Sequence, residues 1–329
     1  MTGWAIAGCG WVARDHALPG LLAAGADVVA LHDTSTRAMD RMPVDAVRAT
    51  DLDEMLAVPG LDAIYVATPN AAHRAIVEAA AAAGKAVLCE KPLATDTCDA
   101  EAMVAAAQRA GVLLGTAYDQ RWHPAHAALR KLVPQLGTVT AVRIVYCCWL
   151  PGDWTPDGLA HDNWRVDRSV AGGGAAVDLA PHGLDLIGML LGEDVEDLHV
   201  LLQSRVHDYA VDDGALLQAR TPGGVLVALH VAYNTPDALP RRRLEVVGTR
   251  AMAVAVDTMG QTGGGSLTLL APDPVDVPFD GASPFERQFR AFGAAVDGDP
   301  GAWPFDVERD LHLHRLLRHA LTREETRDA

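Results

Sequence analysis

The first third of the chain alternates short apolar runs with Ala-rich stretches, and this alternation limits the fold more than any other feature. "WAIAGCG", "DVVALHD", "DAIYVATP", "KAVLCEKP" and "GVLLGTAY" have the length and composition of buried strands. Helix-like segments separate them. "AHRAIVEAAAAAG" closes on Gly84, and "TDTCDAEAMVAAAQRAG" opens on Thr and Asp capping residues and closes on Gly111. Strands alternating with helices build βαβ units, and so a parallel sheet with helices on both faces. Such a domain is predicted to run to about residue 120.

The first unit carries a phosphate-binding pattern. "AIAGCGWVA" places Gly8, Gly10 and Ala13 as G-x-G-x-x-A between a strand and a helix. Gly8 permits the tight turn, Gly10 lets the backbone approach a pyrophosphate, and Ala13 allows close helix packing. The phosphates would sit on the helix start, with Trp11 and Val12 in its first turn. Asp33 ends the second strand at the distance expected of a carboxylate that binds ribose hydroxyls, and it repels a 2′-phosphate. NAD is therefore expected, with NADP left open by Ser35 and Arg37, which follow at once. The plainer reading is a glycine turn with no ligand.

After "YDQRWHP" the texture changes. "TVTAVRIVYCCW", "EDLHVLLQSRVH", "GALLQAR", "VLVALHVAY", "RRLEVVG" and "AMAVAV" read as long strands, with "TPGG" at 221–224 as a hairpin turn. The expectation is an α/β chain with two domains. Residues 1–120 form a Rossmann dinucleotide-binding domain, and 121–329 form an α+β domain with a large, mostly antiparallel open sheet. The run from Pro284 to Leu321 is helical in pattern, its last helix able to pack back on the first domain, and "TREETRDA" is expected to fray.

Composition narrows the partners. Asp and Glu number 43 against 27 Lys and Arg, and a net charge of -16 repels nucleic acid and anionic lipid surfaces. No apolar run suits a membrane helix, and the N-terminus enters a strand-like run instead of a signal sequence, so a cytoplasmic protein is expected. The five cysteines show no CxxC spacing, and His312, His314 and His319 form no ligand set, so neither a disulfide framework nor a metal is expected.

Two segments carry chemistry. "CEKPLATD" sets Lys91 between Glu90 and Pro92 at the carboxyl end of a strand, where ligands bind in open α/β sheets; otherwise it is a surface lysine. "AGGGAAVDLAPHGLDLIGMLLG" sets Asp178 and His182 four apart, on one face of a helix. Pro181 would kink a helix that began at Gly174. If the helix starts at Pro181 instead, Asp178 precedes it and Asp185 is an alternative partner for His182. The bland reading is a capping carboxylate and a core histidine. Upstream, Trp149, Trp154 and Trp164 stand in a Pro/Gly/Asp-rich segment and offer flat faces to a sugar ring.

Taken together, "AGCGWVA", "VATPNAAHRAIVEAA", "GKAVLCEKPLATD", "YDQRWHP" and "GGGAAVDLAPHGLDL" resemble the Gfo/Idh/MocA oxidoreductase family over nearly the whole chain. The resemblance implies that the open sheet of the second domain faces the nicotinamide and often serves as an oligomer interface, here in a homodimer or homotetramer. It implies that Lys91 touches cofactor and substrate, that Asp178 and His182 complete the polar site, and that Thr68, Pro69, Asn70 and His73 lie along the cofactor with Glu90 and Pro92. Arg165, in a "WR" pair, is the first expected substrate contact, with Trp164, Tyr118 and Arg121 next. The implied activity is hydride transfer between NAD(P) and a secondary alcohol or ketone of a sugar, sugar derivative or cyclitol. A redox-neutral, NAD-dependent glycosidase and a non-catalytic dinucleotide sensor are the competing readings.

Overall fold

The computed structural model describes residues 2–156 and 163–326. The chain forms two compact units, Met1–Ala117 with Phe285–His312, and Tyr118–Pro284 with Leu313–Ala329.

The first unit is a six-stranded parallel sheet: β1 (Gly3–Ala7), β2 (Asp27–His32), β3 (Val47–Ala49), β4 (Ala63–Val66), β5 (Ala86–Glu90) and β6 (Leu114–Ala117). Its order is β3-β2-β1-β4-β5-β6, the doubly wound arrangement in which the strand order reverses beside β1. β1, β4 and β6 are buried at every position, which is why they read as unbroken apolar runs. β3 is a short edge strand with two exposed residues, too slight for the pattern to show.

Helices α1 (Leu18–Ala23), α2 (Thr36–Asp40), α3 (Leu52–Leu56), α4 (His73–Ala82) and α5 (Thr97–Ala110) connect these strands. Asp96 caps α5 by accepting from the Asp99 N–H, and Gly111 ends it in the left-handed region.

The second unit starts with α6 (Pro124–Leu132) and β7 (Val139–Cys147), continues through α7 (Arg168–Ala171) and α8 (Ala175–Leu191), and completes an eight-stranded sheet. The later strands are β8 (Glu196–Gln203), β9 (Gly214–Arg220), β10 (Leu226–Ala232), β11 (Arg242–Gly248), β12 (Met252–Val256), β13 (Ser266–Leu270) and β14 (Pro274–Asp276). Their order is β14-β13-β12-β11-β7-β10-β9-β8, antiparallel except for the β10/β7 pair. The "TPGG" turn joins β9 to β10, closed by the Gly224 N–H on the Thr221 carbonyl at 2.8 Å. One sheet face packs under α8: a Cβ at Gly183 would meet Leu229 of β10 at 2.9 Å and Ile144 of β7 at 3.5 Å. The other face is open, and there Leu201 and Leu216, paired in register, are 53% and 39% exposed.

The first unit ends at Ala117, near the expected division, and residues 285–312 return to it, where such a return was expected of the last helix alone. Helix α9 (Pro284–Val296) sets Phe285, Phe289 and Phe292 on one face. Phe289 meets Trp4 and Tyr65 with ring centroids 5.4 and 5.1 Å apart, covering sheet that the N-terminal helices leave bare. The helical run expected over 284–321 is also broken: Gly298, at φ 105°, and the turn Pro300–Ala302 separate α9 from α10 (Val307–Glu325). The first residues of the polar tail continue the last helix as far as Glu325, which pairs with Arg168 at 2.6 Å. The stretch Arg168–Leu191 is long and apolar enough to cross a bilayer, but 89% of that window is buried in the protein, as a core helix is.

Candidate active site

Within the first unit, the glycine pattern has the geometry that a dinucleotide needs. Gly8 sits at φ +92°, and a Cβ there would meet the Ala67 carbonyl and the Thr68 nitrogen at 2.6 Å, so strands β1 and β4 approach through a position only glycine can fill. Gly10 is the reverse case: a Cβ on it meets nothing within 4 Å, so the backbone faces open space at the start of a helix. That helix holds a π-helical segment, Ala13–Ala17, before α1, and Ala13 is fully buried. These residues fit a pyrophosphate.

Asp33 is tied to the same turn. Its carboxylate accepts the Cys9 N–H and the Ser35 N–H, each at 2.8 Å. Burial and the Asp33 charge push the Cys9 thiol up to about 12. Arg37 is exposed on α2, half a turn beyond the Ser35 cap.

The loops after β4 and β5 are joined by His73. Its ring nitrogens lie 3.1 Å from the Leu93 carbonyl and 3.0 Å from the Thr68 carbonyl. The imidazole is fully buried, and desolvation holds it below its usual range. His73 therefore holds two loops together and has no surface for a cofactor, contrary to the expectation. Thr68 and Pro69 keep partial exposure and Asn70 is buried. Glu90 accepts the Tyr65 hydroxyl at 2.5 Å and the Lys91 N–H at 3.3 Å, while Lys91 itself is half-buried before a cis Lys91–Pro92 peptide.

Within the second unit, the triple glycine explains how α8 begins. A Cβ on Gly174 would stand 2.0 Å from the Asp212 carbonyl oxygen, and the Asp212 carboxylate accepts the Gly174 and Ala176 N–H groups at 2.9 and 2.8 Å. Helix α8 thus starts at Ala175 and runs through Pro181, so Asp178 and His182 do lie one turn apart on it. Tertiary packing overrides the proline signal.

Their partners differ from those expected. Asp178 accepts the Tyr233 hydroxyl at 2.7 Å. Asp185, the alternative partner of His182, is bound by Arg121 through contacts of 2.7 to 3.0 Å. Both side chains of that pair are 0% exposed, so Arg121 has no surface left for a substrate and its assignment as a substrate contact is withdrawn. The carboxylate facing His182 Nδ1, at 3.4 Å, is Asp119.

Tyrosines enclose this imidazole. Tyr146 of β7 and Tyr118 present rings 5.5 and 6.3 Å from it, both near perpendicular. Tyr118, expected to touch substrate, is only 3% exposed and lies under the Arg121 guanidinium at 4.6 Å. Burial, then Asp119, pushes the Tyr146 phenol up; burial, then Asp178, does the same for Tyr233 and takes the Cys148 thiol to about 12. All three stay protonated at neutral pH. Arg165 stacks on Trp164 at 4.5 Å and Trp154 at 5.6 Å, all three partly exposed. Residues 157–162 of that segment lie outside the described residues.

Asp119, Tyr146 and Tyr233 were not singled out from the sequence. Asp119 was visible inside "YDQRWHP", but no local rule pairs a residue after β6 with one on α8. Among the described residues no group of three His, Cys, Asp or Glu is placed to hold a metal.

The doubly wound sheet, the pyrophosphate turn and a buried histidine among carboxylates and phenols define a nicotinamide-dependent oxidoreductase. Residues 2–118 match the model of an oxidoreductase family with an NAD-binding Rossmann fold, and 126–254 match the GFO/IDH/MocA C-terminal domain. The chain belongs to the Gfo/Idh/MocA family.

It is 32% identical to a 1,5-anhydro-D-fructose reductase of Ensifer adhaerens over 305 residues, 91% of this chain and 89% of that one. It is 35% identical to a levoglucosan dehydrogenase of Pseudarthrobacter phenanthrenivorans over 137 residues, 41% of this chain and 34% of that one. In fold it resembles a levoglucosan dehydrogenase solved with NADH and levoglucosan, with a TM-score of 0.83 at 20% identity, covering 100% of this chain and 98% of that one.

Proposed function

We propose that this enzyme interconverts a secondary alcohol and a ketone on a carbohydrate-like small molecule, with His182 as the general base. The observation that carries the reading is the placement of His182 on α8: Asp119 faces its Nδ1 at 3.4 Å, Tyr118 and Tyr146 flank its ring, Asp178 already accepts from Tyr233 and Asp185 is bound by Arg121. That leaves His182 to take the hydroxyl proton. Bound NAD(P) would supply the hydride acceptor or donor. Lys91 is the proposed cation that polarises the reacting oxygen, and Asp178, half-buried on α8, the proposed acceptor from a substrate hydroxyl. The stacked Arg165, Trp164 and Trp154 offer flat apolar faces and a cation to the ring of a sugar.

Asp33 favours NAD over NADP by its charge at the ribose position. Five free thiols support a cytoplasmic setting. Leu201, Leu216 and the 62% exposed Leu226, on the open face of the sheet, support a homo-oligomer.

The test is absorbance at the NADH wavelength with purified enzyme, NAD or NADP, and a panel of sugars, anhydrosugars and inositols. His182→Ala is expected to bind cofactor normally and lose on the order of a hundredfold in kcat. A variant with the full rate would remove His182 from the chemistry.

A further inference from the structure

The Asp119 carboxylate occupies the position from which the chemistry of His182 is set, and this role rests on the reading of His182 as the base. Asp119 Oδ1 lies 3.4 Å from His182 Nδ1, with both side chains 7% exposed. Its other oxygen, Oδ2, accepts from Gln120 Nε2 at 3.0 Å, and that amide also donates to the Gly260 carbonyl at 3.1 Å. The carboxylate is thus anchored from its far side with Oδ1 turned to the imidazole. The pair is an electrostatic contact that falls short of hydrogen-bond geometry at Nδ1, and the charge acts without alignment.

The other carboxylates near the helix are occupied elsewhere. Asp178 accepts from Tyr233 and Asp185 is bound by Arg121. The rings of Tyr118 and Tyr146 stand near perpendicular to the imidazole, burial pushes the Tyr146 phenol up, and Arg242 stands over Tyr146, 5.9 Å from its centroid. We infer that Asp119 is the positioning residue of the proton transfer: it holds the proton on Nδ1 and compensates the imidazolium that forms at Nε2.

The step balances as follows. The substrate O–H bond breaks and its proton joins His182 Nε2; the carbinol hydrogen leaves with its electron pair to the oxidised nicotinamide dinucleotide; Asp119 stays ionised throughout. An anionic neighbour at this distance raises the pKa of an imidazole by about 1–3 units. Its removal lowers that pKa. In Asp119→Asn the amide also turns a donor toward Nδ1, favouring the tautomer whose Nε2 already carries the proton.

The experiment is the pH dependence of kcat/KM and kcat for alcohol oxidation in wild type, Asp119→Asn, Asp119→Glu and His182→Ala, with nitrogen NMR of the imidazole in each folded variant that keeps the histidine. Asp119→Asn is expected to lower kcat at least tenfold with KM within about twofold, to move the rising limb down by about one pH unit or more, and to shift His182 away from the Nδ1–H tautomer. Asp119→Glu, which keeps the charge, is expected to restore part of the rate and the wild-type limb.

Loss of rate in Asp119→Asn with an unmoved limb and unmoved tautomer would reduce Asp119 to a structural anchor and overturn the inference. Should Asp119→Asn not fold, an Nε2–H tautomer of His182 in the wild-type protein would overturn it equally. Full activity in His182→Ala is a separate failure, that of the base assignment.

Discussion

Replacing Arg121 by methionine separates a buried structural pair from a substrate contact. Arg121 and Asp185 are each 0% exposed and joined by a fork of contacts no longer than 3.0 Å, with the guanidinium also over Tyr118 at 4.6 Å. In Arg121→Met, a side chain of similar length fills the space, but the Asp185 carboxylate is left buried without its cation. Breaking a pair of this kind by removing one partner costs about 3–5 kcal/mol. A unit of this size shifts by about 2–4 °C per kcal/mol, so the transition should fall by about 6–20 °C.

The assay is thermal unfolding of the second unit by circular dichroism, with KM measured well below the transition. The double variant Arg121→Met/Asp185→Leu removes the stranded charge and should recover most of the loss, since an apolar pair of similar volume is often neutral in place of a buried ion pair. An Arg121→Met protein that melts with wild type but shows a raised KM would refute the structural assignment and return Arg121 to the substrate.

Other perturbations follow from single distances. Gly10→Ala meets no protein atom within 4 Å, so it should melt with wild type yet bind NAD at least tenfold more weakly by fluorescence titration; Gly8→Ala, with backbone at 2.6 Å, should lose both. His126 is buried with its pKa lowered to about 3 by desolvation, while the unfolded value is near 6.5. Its stabilising contribution is present above pH 6.5 and lost as pH falls, by about 1.4 kcal/mol per unit down to about pH 3; His126→Gln should flatten that acid limb in urea titrations, and an unchanged slope would count against it. Cys98 is exposed whereas the Cys9 thiol is pushed up to about 12, so a disulfide reagent at pH 8 should label Cys98 at once and Cys9 only after unfolding.

The parts of this protein legible in its sequence are those governed by local rules. The strands of the first sheet announce themselves because burial on both faces demands unbroken apolar runs, and the Gly8 and Gly10 turn is readable because strand, turn and helix are neighbours in the chain. Family-wide motifs brought Lys91, Asp178 and His182 into view for the same reason: each sits inside a short, recognisable string. What tertiary structure decided is every relationship between distant segments. Phe285, Phe289 and Phe292 return to the first unit because its sheet has a second face to cover, and helix propensity says nothing about which sheet a helix will cover. Pro181 stays inside α8 because the Asp212 carboxylate and the Gly174 contact fix the helix start at Ala175, far from it in sequence. The partner of His182 was decided in the same way. Helical spacing offered Asp178 and Asp185, but Tyr233 and Arg121 reach them from other elements, and the carboxylate facing the imidazole comes from the loop after β6. Side-chain pairing follows distance in space, and chain separation encodes that distance only within a turn or two of helix or across a hairpin.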